Sequence, residues 1–306
     1  MPASPPTRPG SKNLGNKLGG EALLDYVIGT EEPAETTPYD INILGDYNIA
    51  GELWQVEPLF KRLGIRVLGR ITGDAKFHDV TVAHRAKVSM MVCSQALINV
   101  ARKLQERYGV PYFEGSFYGI TDTSNALRTI ARMCVEQGAP AEFIDRTEAL
   151  IASEEARVHA RLAVYKTRLT GKKVLLYTGG HKSWSVISAL SDIGVKVIGS
   201  SVRKSTDGDK ERAKELMGDD GGMLYDAIPP REMYRMLKDR EADMMLSGGR
   251  TQFIALKAKM PWLDMNQERH HAYAGYEGMV ALISEIDKAM ANPIWDQVRA
   301  PAPWED

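Results

Sequence analysis

The chain has 306 residues, of which 43% are hydrophobic, 26% charged and 8% aromatic, close to the averages of globular proteins. With 39 basic and 40 acidic residues its formal net charge is −1, which excludes the broad basic surface that nucleic acid or an anionic membrane requires. Two cysteines are too few for a disulfide framework or for the four thiolates of an iron–sulfur cluster, and no apolar run approaches the roughly 20 residues that span a bilayer. We therefore expect a reduced, cytoplasmic, soluble α/β protein.

Residues 1–37 are expected to form a disordered, proline-rich tail and then a short helix at residues 20–28. After them, strands are predicted at residues 41–44, 65–68, 87–92, 110–113, 173–177, 195–198, 244–246 and 262–265. Helices are predicted at residues 52–63, 95–108, 125–135, 141–169, 183–193, 209–217, 231–240, 252–259 and 278–291. The alternation implies right-handed crossovers, and so two doubly wound parallel-sheet domains at residues 38–168 and 169–306.

The ends of the predicted strands carry groups that suit an anion. In open α/β sheets, ligands bind beyond the carboxyl ends of the strands. Two glycine pairs stand there, one followed by Lys182 and one by Arg250. Exposed backbone N–H groups and Lys182 would hold a carboxylate or phosphate, and Arg250 could bind a carboxylate with two hydrogen bonds. A solvated lysine and a surface arginine are the alternatives.

Cys93 also follows a predicted strand and precedes a helix. A thiolate is a good iron ligand, and a helix N-terminus lowers the pKa of a cysteine, but a small buried apolar side chain is the alternative. Cys134 lies inside a predicted helix and is expected to pack in the core. The adjacent His270 and His271 lack the spacing of a zinc site. Methionines within predicted strands are also expected in the core: Met90, Met91, Met244 and Met245.

Several short motifs together resemble a known family. They are residues 11–16, 45–54, 106–111, 113–119, 176–180, 272–278 and 302–304, in this order along the chain, with Cys93 among them. This set closely resembles the nitrogenase component 1 family, from Ser11 to the end of the chain. The resemblance implies two α/β domains of nitrogenase component 1 type. Within the family, the chain is most similar to members that assemble the iron–molybdenum cofactor.

The resemblance also implies which residues meet an iron–sulfur cargo. Cys93 stands where the catalytic α chain of the family has its cysteine ligand. Asn16 and Asn266 stand where that chain has histidines, and Lys12 stands where it has a glutamine. A neutral amide is a poor iron ligand, so Lys12, Asn16 and Asn266 would line the pocket without binding iron strongly. Such weak retention suits a scaffold that passes its product on.

Basic positions near the family's cofactor and its homocitrate are matched by Lys182 and Arg250, which would attract an anionic cluster. The resemblance implies a scaffold subunit that holds an iron–sulfur precursor during maturation with molybdenum and homocitrate, rather than a turnover enzyme. The implied partner is a NifN-like subunit in a heterotetramer. Transient partners would be the nitrogenase iron protein, NifB and the apo-molybdenum–iron protein, which receives the product.

Family members of this type carry a further N-terminal domain before the position of Ser11, with cysteines for a second cluster. Residues 1–10 match nothing in the family, so we expect either a truncated chain or a domain supplied separately. Two other functions stay open. One is the catalytic α chain of the molybdenum–iron protein, an oxidoreductase. The other is a nucleotide-sugar transferase, because two facing doubly wound domains also bind such substrates.

Overall fold

The computed structural model describes residues 12–45, 52–71, 75–92, 94–179, 181–202, 205–218, 222–265 and 272–301. Within these ranges, short strands alternate with helices, as the sequence predicts. The strands are β1 (Asp40–Leu44), β2 (Arg66–Ile71), β3 (Val88–Met91), β4 (Tyr112–Glu114), β5 (Lys173–Tyr177), β6 (Lys196–Ser201), β7 (Met223–Tyr225), β8 (Met244–Ser247) and β9 (Trp262–Asp264).

The helices differ more from the predicted boundaries than the strands do. They are α1 (Lys12–Tyr26), α2 (Glu57–Leu63), α3 (Phe77–Thr81), α4 (Ser94–Tyr108), α5 (Ile120–Glu136), α6 (Glu142–Leu169), α7 (His181–Ser191), α8 (Asp207–Met217), α9 (Pro230–Asp239), α10 (Gln252–Lys257), α11 (Gly275–Met290) and α12 (Ile294–Arg299). Helices α3 and α12 and the edge strand β7 are not predicted from the sequence, because each is too short to show a clear periodicity.

The strands form two parallel sheets, in the orders β2-β1-β3-β4 and β7-β6-β5-β8-β9. In each sheet the chain first extends to one side of the opening strand and then crosses to the other side. This is the connectivity of a doubly wound sheet, so the predicted fold class is confirmed.

One predicted helix, residues 52–63, is in fact two elements. A 3-10 turn covers Glu52–Gln55, and α2 starts after Val56 with Pro58 in its first turn. Proline has no N–H to donate and is therefore tolerated in a first turn but not in a helix interior. Gly64 ends α2 with φ 76°, a left-handed conformation that glycine adopts without strain.

One apolar core extends over both sheets. It includes Ile41 and Met90 of the first sheet and Val174 and Leu246 of the second, all fully buried. The last long helix, α11, packs against α5 and α6, which follow the first sheet. The predicted core positions Cys134 and the four strand methionines are buried and therefore confirmed. Among the described residues, no helix has the length and apolarity to cross a membrane.

The many charged residues of the long helix α6 predict a solvated face rather than a binding surface. Its apolar positions are buried, apart from the partly buried Tyr165: Phe143, Leu150, Ile151, Val158 and Leu162. Its charged residues, however, contact neighbouring helices. Arg161 pairs with Glu277 of α11 at 2.7 Å, and Arg168 pairs with Asp287 of α11 at 2.6 Å. Part of the expected solvated face is thus a contact between helices.

Candidate functional site

The strand order locates a crevice in each sheet. The strands are parallel, but the side of the sheet to which the chain adds its next strand switches at β1 and β3 in the first sheet and at β5 and β8 in the second. Two neighbouring loops part at such a point, which leaves room for a ligand at the carboxyl ends of the strands. Glu52 follows β1 in the chain, in the 3-10 turn Glu52–Gln55.

Lys182 and Arg250 follow the two strands at the crevice of the second sheet. Tyr177, at the end of β5, lies beside Ser247, at the end of β8. Lys182 lies in the first turn of α7, a few residues beyond Tyr177. Arg250 lies in a 3-10 turn, Gly249–Thr251, just beyond Ser247. The structure thus brings the two predicted cationic residues to the ends of adjacent strands.

The surroundings of Lys182 differ from those of Arg250. Lys182 is only 6% exposed, and its Nζ lies 5.4 Å from the centroid of the Tyr118 ring. The alternative of a solvated lysine is therefore wrong. Arg250 is exposed. Beside its turn, Thr251 and Trp262 both donate hydrogen bonds to the Ser247 hydroxyl.

Glu52 is a site residue that the sequence analysis missed. It is fully buried, and its Oε1 accepts a hydrogen bond from the backbone N–H of Tyr273 at 2.7 Å. Burial raises the pKa of Glu52, while the positive charge of Lys182 and the hydrogen bond from the Tyr273 N–H act in the opposite direction. Its place in the motif at residues 45–54 was the available signal, but it was interpreted only as the start of a helix.

Two irregular segments near Glu52 join the first unit, which we define as the part of the chain that contains β1–β4, to the second unit, which contains β5–β9. Tyr118, which follows β4, forms an isolated antiparallel bridge with Ala274, and the N–H of Gly275 donates to the carbonyl of Phe117 at 2.7 Å. Gly119 has φ 82°, and a Cβ there would lie 2.8 Å from the Cα of Ala189. Only glycine allows this close approach between a first-unit loop and α7.

The first turn of α5 is held by a residue from the second unit. Asp192 accepts hydrogen bonds from the N–H of Ile120 at 2.6 Å and from the hydroxyl of Thr121 at 2.6 Å. An acceptor at this position satisfies N–H groups that a helix start leaves without partners. This explains why α5 begins earlier than the predicted Asn125, since the cap comes from a distant part of the chain.

A second buried charge lies between α5 and α8. Asp122 is 5% exposed, and Arg212 donates to its Oδ1 at 3.2 Å while stacking 3.7 Å from the centroid of the Trp184 ring. Burial raises the pKa of Asp122 to about 6, although the charge of Arg212 opposes this effect. A single guanidinium therefore does not offset the desolvation of this carboxylate.

The remaining predicted site residues are Lys12, Asn16, Cys93 and Asn266. Cys93 and Asn266 lie outside the described residues, as do His270 and His271. Lys12 and Asn16 belong to α1, but their side chains lie outside what the structure describes. Within the part of the chain that is described, no three His, Cys, Asp or Glu side chains meet as a metal site.

Cys134 behaves as the packing residue that was expected. It is fully buried in α5, and burial raises the pKa of its thiol to about 12. A thiol that stays protonated is a poor metal ligand, because thiolate is the form that binds iron. Cys134 is therefore a suitable control for Cys93 in a test of iron binding.

Curated relatives match the chain over most of its length. It is 61% identical over 305 residues to the protein named nitrogenase iron–molybdenum cofactor biosynthesis protein NifE of Bradyrhizobium diazoefficiens. It is 55% identical to the protein of that name from a Nostoc species, with all of this chain covered, and 48% to that from Klebsiella pneumoniae, with 96% covered. The chain spans only 56%, 63% and 65% of these three relatives, respectively.

A solved structure and a family model agree with these relatives. The structure "Nitrogenase Cp1 at pH 6.5" superposes with a TM-score of 0.84 at 24% identity, covering 96% of this chain and 66% of that one, which shows the shared fold. The family model described as nitrogenase component 1 type oxidoreductase matches residues 1–291, so the expectation that residues 1–10 match nothing in the family is wrong. The chain, with its two doubly wound sheets, therefore belongs to the nitrogenase component 1 type oxidoreductase family.

Proposed function

We propose that this chain is the scaffold subunit for biosynthesis of the nitrogenase iron–molybdenum cofactor. It would hold an iron–sulfur precursor during maturation with molybdenum and homocitrate, before transfer to apo-nitrogenase. The observation that supports this most strongly is the 48–61% identity, over nearly the whole chain, to proteins with that biosynthetic name. The cluster is cargo here, and no redox turnover is assigned to the chain.

The charge at the second-sheet crevice supports an anionic cargo. Lys182 and Arg250 end adjacent strands, and both bear positive charge where ligands of open α/β sheets bind. An iron–sulfur cluster with homocitrate is anionic, so the two residues would attract it by charge complementarity. The buried Lys182 would act at short range, and the exposed Arg250 would act earlier, during approach.

Cys93 is the proposed iron ligand. Its neighbours in the chain end β3 and begin α4, at the crevice of the first sheet. A thiol before a helix N-terminus ionises more readily than one in a helix interior, and thiolate is a preferred iron ligand. Lys12, Asn16 and Asn266 would line the pocket without holding iron strongly.

The proposed assembly is a heterotetramer with a NifN-like subunit. NifB would deliver the precursor, the nitrogenase iron protein would act during maturation, and the apo-molybdenum–iron protein would receive the product. The catalytic α chain is the second family function. It is not favoured, because asparagines occupy positions 16 and 266, where the resemblance gives that chain histidines. A nucleotide-sugar transferase is not favoured either, since the family match points elsewhere.

The two cysteines allow a matched test of the proposed function. The chain would be co-expressed anaerobically with the NifN-like subunit and NifB, purified, and analysed for iron content and cluster absorbance. We expect Cys93→Ala to lose most of the bound iron and Cys134→Ala to retain it, because Cys93 follows β3 in the chain, whereas Cys134 is buried inside α5. Wild-type protein that carries no iron under these conditions would overturn the proposed function. A fully loaded Cys93→Ala variant would overturn the ligand assignment.

A further inference from the structure

Glu52 and Lys182, which come from different sheets and carry opposite charges, are both buried next to the bridge between Tyr118 and Ala274. Glu52 opens the 3-10 turn after β1, and Lys182 lies in the first turn of α7 after β5. Glu52 is 0% exposed and Lys182 is 6% exposed. The charge of Lys182 acts on Glu52. The Nζ of Lys182 lies over the Tyr118 ring, and Tyr118 pairs with Ala274, the residue after Tyr273, whose N–H donates to Glu52. Because water screens little here, the two charges interact more strongly than they would on the surface.

Glu52 is held by backbone groups as well as by Lys182. The Tyr273 N–H donates to its Oε1 at 2.7 Å, and a backbone hydrogen bond from Ala274 also favours its ionised form. Ala274 is itself paired with Tyr118 in the bridge between the units. The carboxylate therefore stays in place even when Lys182 interacts with another anion.

Lys182 compensates the burial of the Glu52 carboxylate only in part. Burial outweighs the hydrogen bonds and the Lys182 charge, so the pKa of Glu52 is raised. An anionic group that enters between the ends of β5 and β8 would meet Lys182, and it would also meet the fixed charge of Glu52 close by. Like charges in a poorly screened site repel, which reduces the affinity for the entering group.

We propose that Glu52 is the resident counter-ion of Lys182, that an anionic cargo competes with it, and that this competition keeps the cargo exchangeable. The inference rests on the proposed scaffold function. A scaffold transfers its product to another protein. Competition from the Glu52 carboxylate lowers the affinity of Lys182 for the cargo and so shortens the residence time of the cargo, while the cationic residue that attracts it is kept. Glu52 acts through Lys182 and is a positioning residue rather than a ligand.

The test measures how fast bound iron is lost. Protein loaded anaerobically beside its partner subunit is mixed with excess ferrous chelator, and the release of iron is followed by absorbance. We expect Glu52→Gln, which keeps an acceptor for the Tyr273 N–H, to slow the loss about 10-fold, equivalent to about 1.4 kcal/mol. Lys182→Met should accelerate the loss. Glu154→Gln, a buried glutamate in α6, is the matched control and should leave the rate unchanged.

A double variant separates competition for Lys182 from other effects. If Glu52 acts through Lys182, then Glu52→Gln added to Lys182→Met changes the rate less than 2-fold. The comparison of Lys182→Met with the double variant carries the test even if Glu52→Gln alone does not fold. The inference is overturned if the wild type carries iron and Glu52→Gln leaves its rate of iron loss unchanged or raises it. It is also overturned if Glu52→Gln slows iron loss about 10-fold when it is added to Lys182→Met. A wild type without iron instead overturns the scaffold function.

Discussion

Glu52 and Glu154 are both buried glutamates, yet their surroundings have opposite effects on their ionisation. Glu154, in α6, receives hydrogen bonds from Arg157 at 2.5 Å and from Arg62. Burial is the largest single influence on its pKa, but the two guanidiniums together outweigh it, so the pKa is lowered. At Glu52, burial outweighs Lys182 and the surrounding hydrogen bonds, and the pKa is raised.

The opposite pKa shifts of the two glutamates distinguish a charge that stabilises the fold from a charge that is only partly compensated and can interact with a ligand. A carboxylate with two guanidinium partners stabilises the fold as long as it is ionised. A carboxylate with one buried ammonium leaves charge imperfectly compensated, which is common at functional sites. Glu154 pairs with Arg62 of α2 and so joins α6 to that helix, whereas Glu52 opens the 3-10 turn that follows β1, near the strand ends where the ligands of this fold class bind.

The largest effect is expected from Glu154→Gln, which should reduce the free energy of unfolding at pH 7 by about 1–2 kcal/mol. Losing one partner of a fully buried ion pair costs about 3–5 kcal/mol, but the side chains of Arg62 and Arg157 are 50% and 43% exposed, so solvent reduces the loss. Urea unfolding of the variant and the wild type measures this difference in the free energy of unfolding. Because the folded pKa of Glu154 is lowered, its contribution is complete above the unfolded pKa and lost as pH falls through the folded pKa. A difference that persisted at low pH would contradict this assignment.

Asp122→Asn tests an intermediate case, with one guanidinium beside a buried carboxylate. The folded pKa is about 6 and the ordinary value 3.8, so ionised Asp122 costs stability that appears as pH rises from about 4 to above 6. We expect the variant to be about 1–2 kcal/mol more stable than wild type at pH 7.5 and equal to it near pH 4, in urea unfolding at several pH values. The exposed Asp207→Asn serves as control. A less stable Asp122→Asn at pH 7.5 would mean that Arg212 outweighs burial.

Glu52→Gln should change the stability of the cargo-free protein by less than about 1 kcal/mol at pH 7. The variant removes the cost of burying a carboxylate, but it also removes the counter-charge of Lys182, and these two effects oppose each other. The comparison is with Glu154→Gln in the same urea titration. If Glu52→Gln lowered the free energy of unfolding by more than about 2 kcal/mol, both glutamates would stabilise the fold and the distinction between them would disappear.

The smallest effect on stability is expected at Arg250. This residue is exposed, so Arg250→Ala should alter the free energy of unfolding by no more than about 0.5 kcal/mol. It should instead slow the uptake of anionic cargo about 2- to 5-fold at low ionic strength, and the difference should shrink as salt is added, because exposed charges are screened. Arg132→Ala, on the exposed face of α5, is the control. Slower uptake that does not depend on salt would argue against attraction of the cargo by the Arg250 charge.

The sequence by itself determined the fold class and much of the core. Alternating apolar runs and amphipathic stretches specify parallel strands and covering helices through local periodicity. Lys182 and Arg250 could be placed at one sheet edge, because the carboxyl ends of parallel strands share that edge. The same periodicity predicted the burial of Cys134 and of the strand methionines.

Only the tertiary structure decided which charges are buried and what they meet. Glu52 and Lys182 belong to different sheets, and Asp192 caps a helix of the other unit. Such contacts depend on how the two sheets pack, which local periodicity does not encode. The sequence therefore identified Lys182 as a cation at a strand end, while the packing of the units buried it beside Glu52.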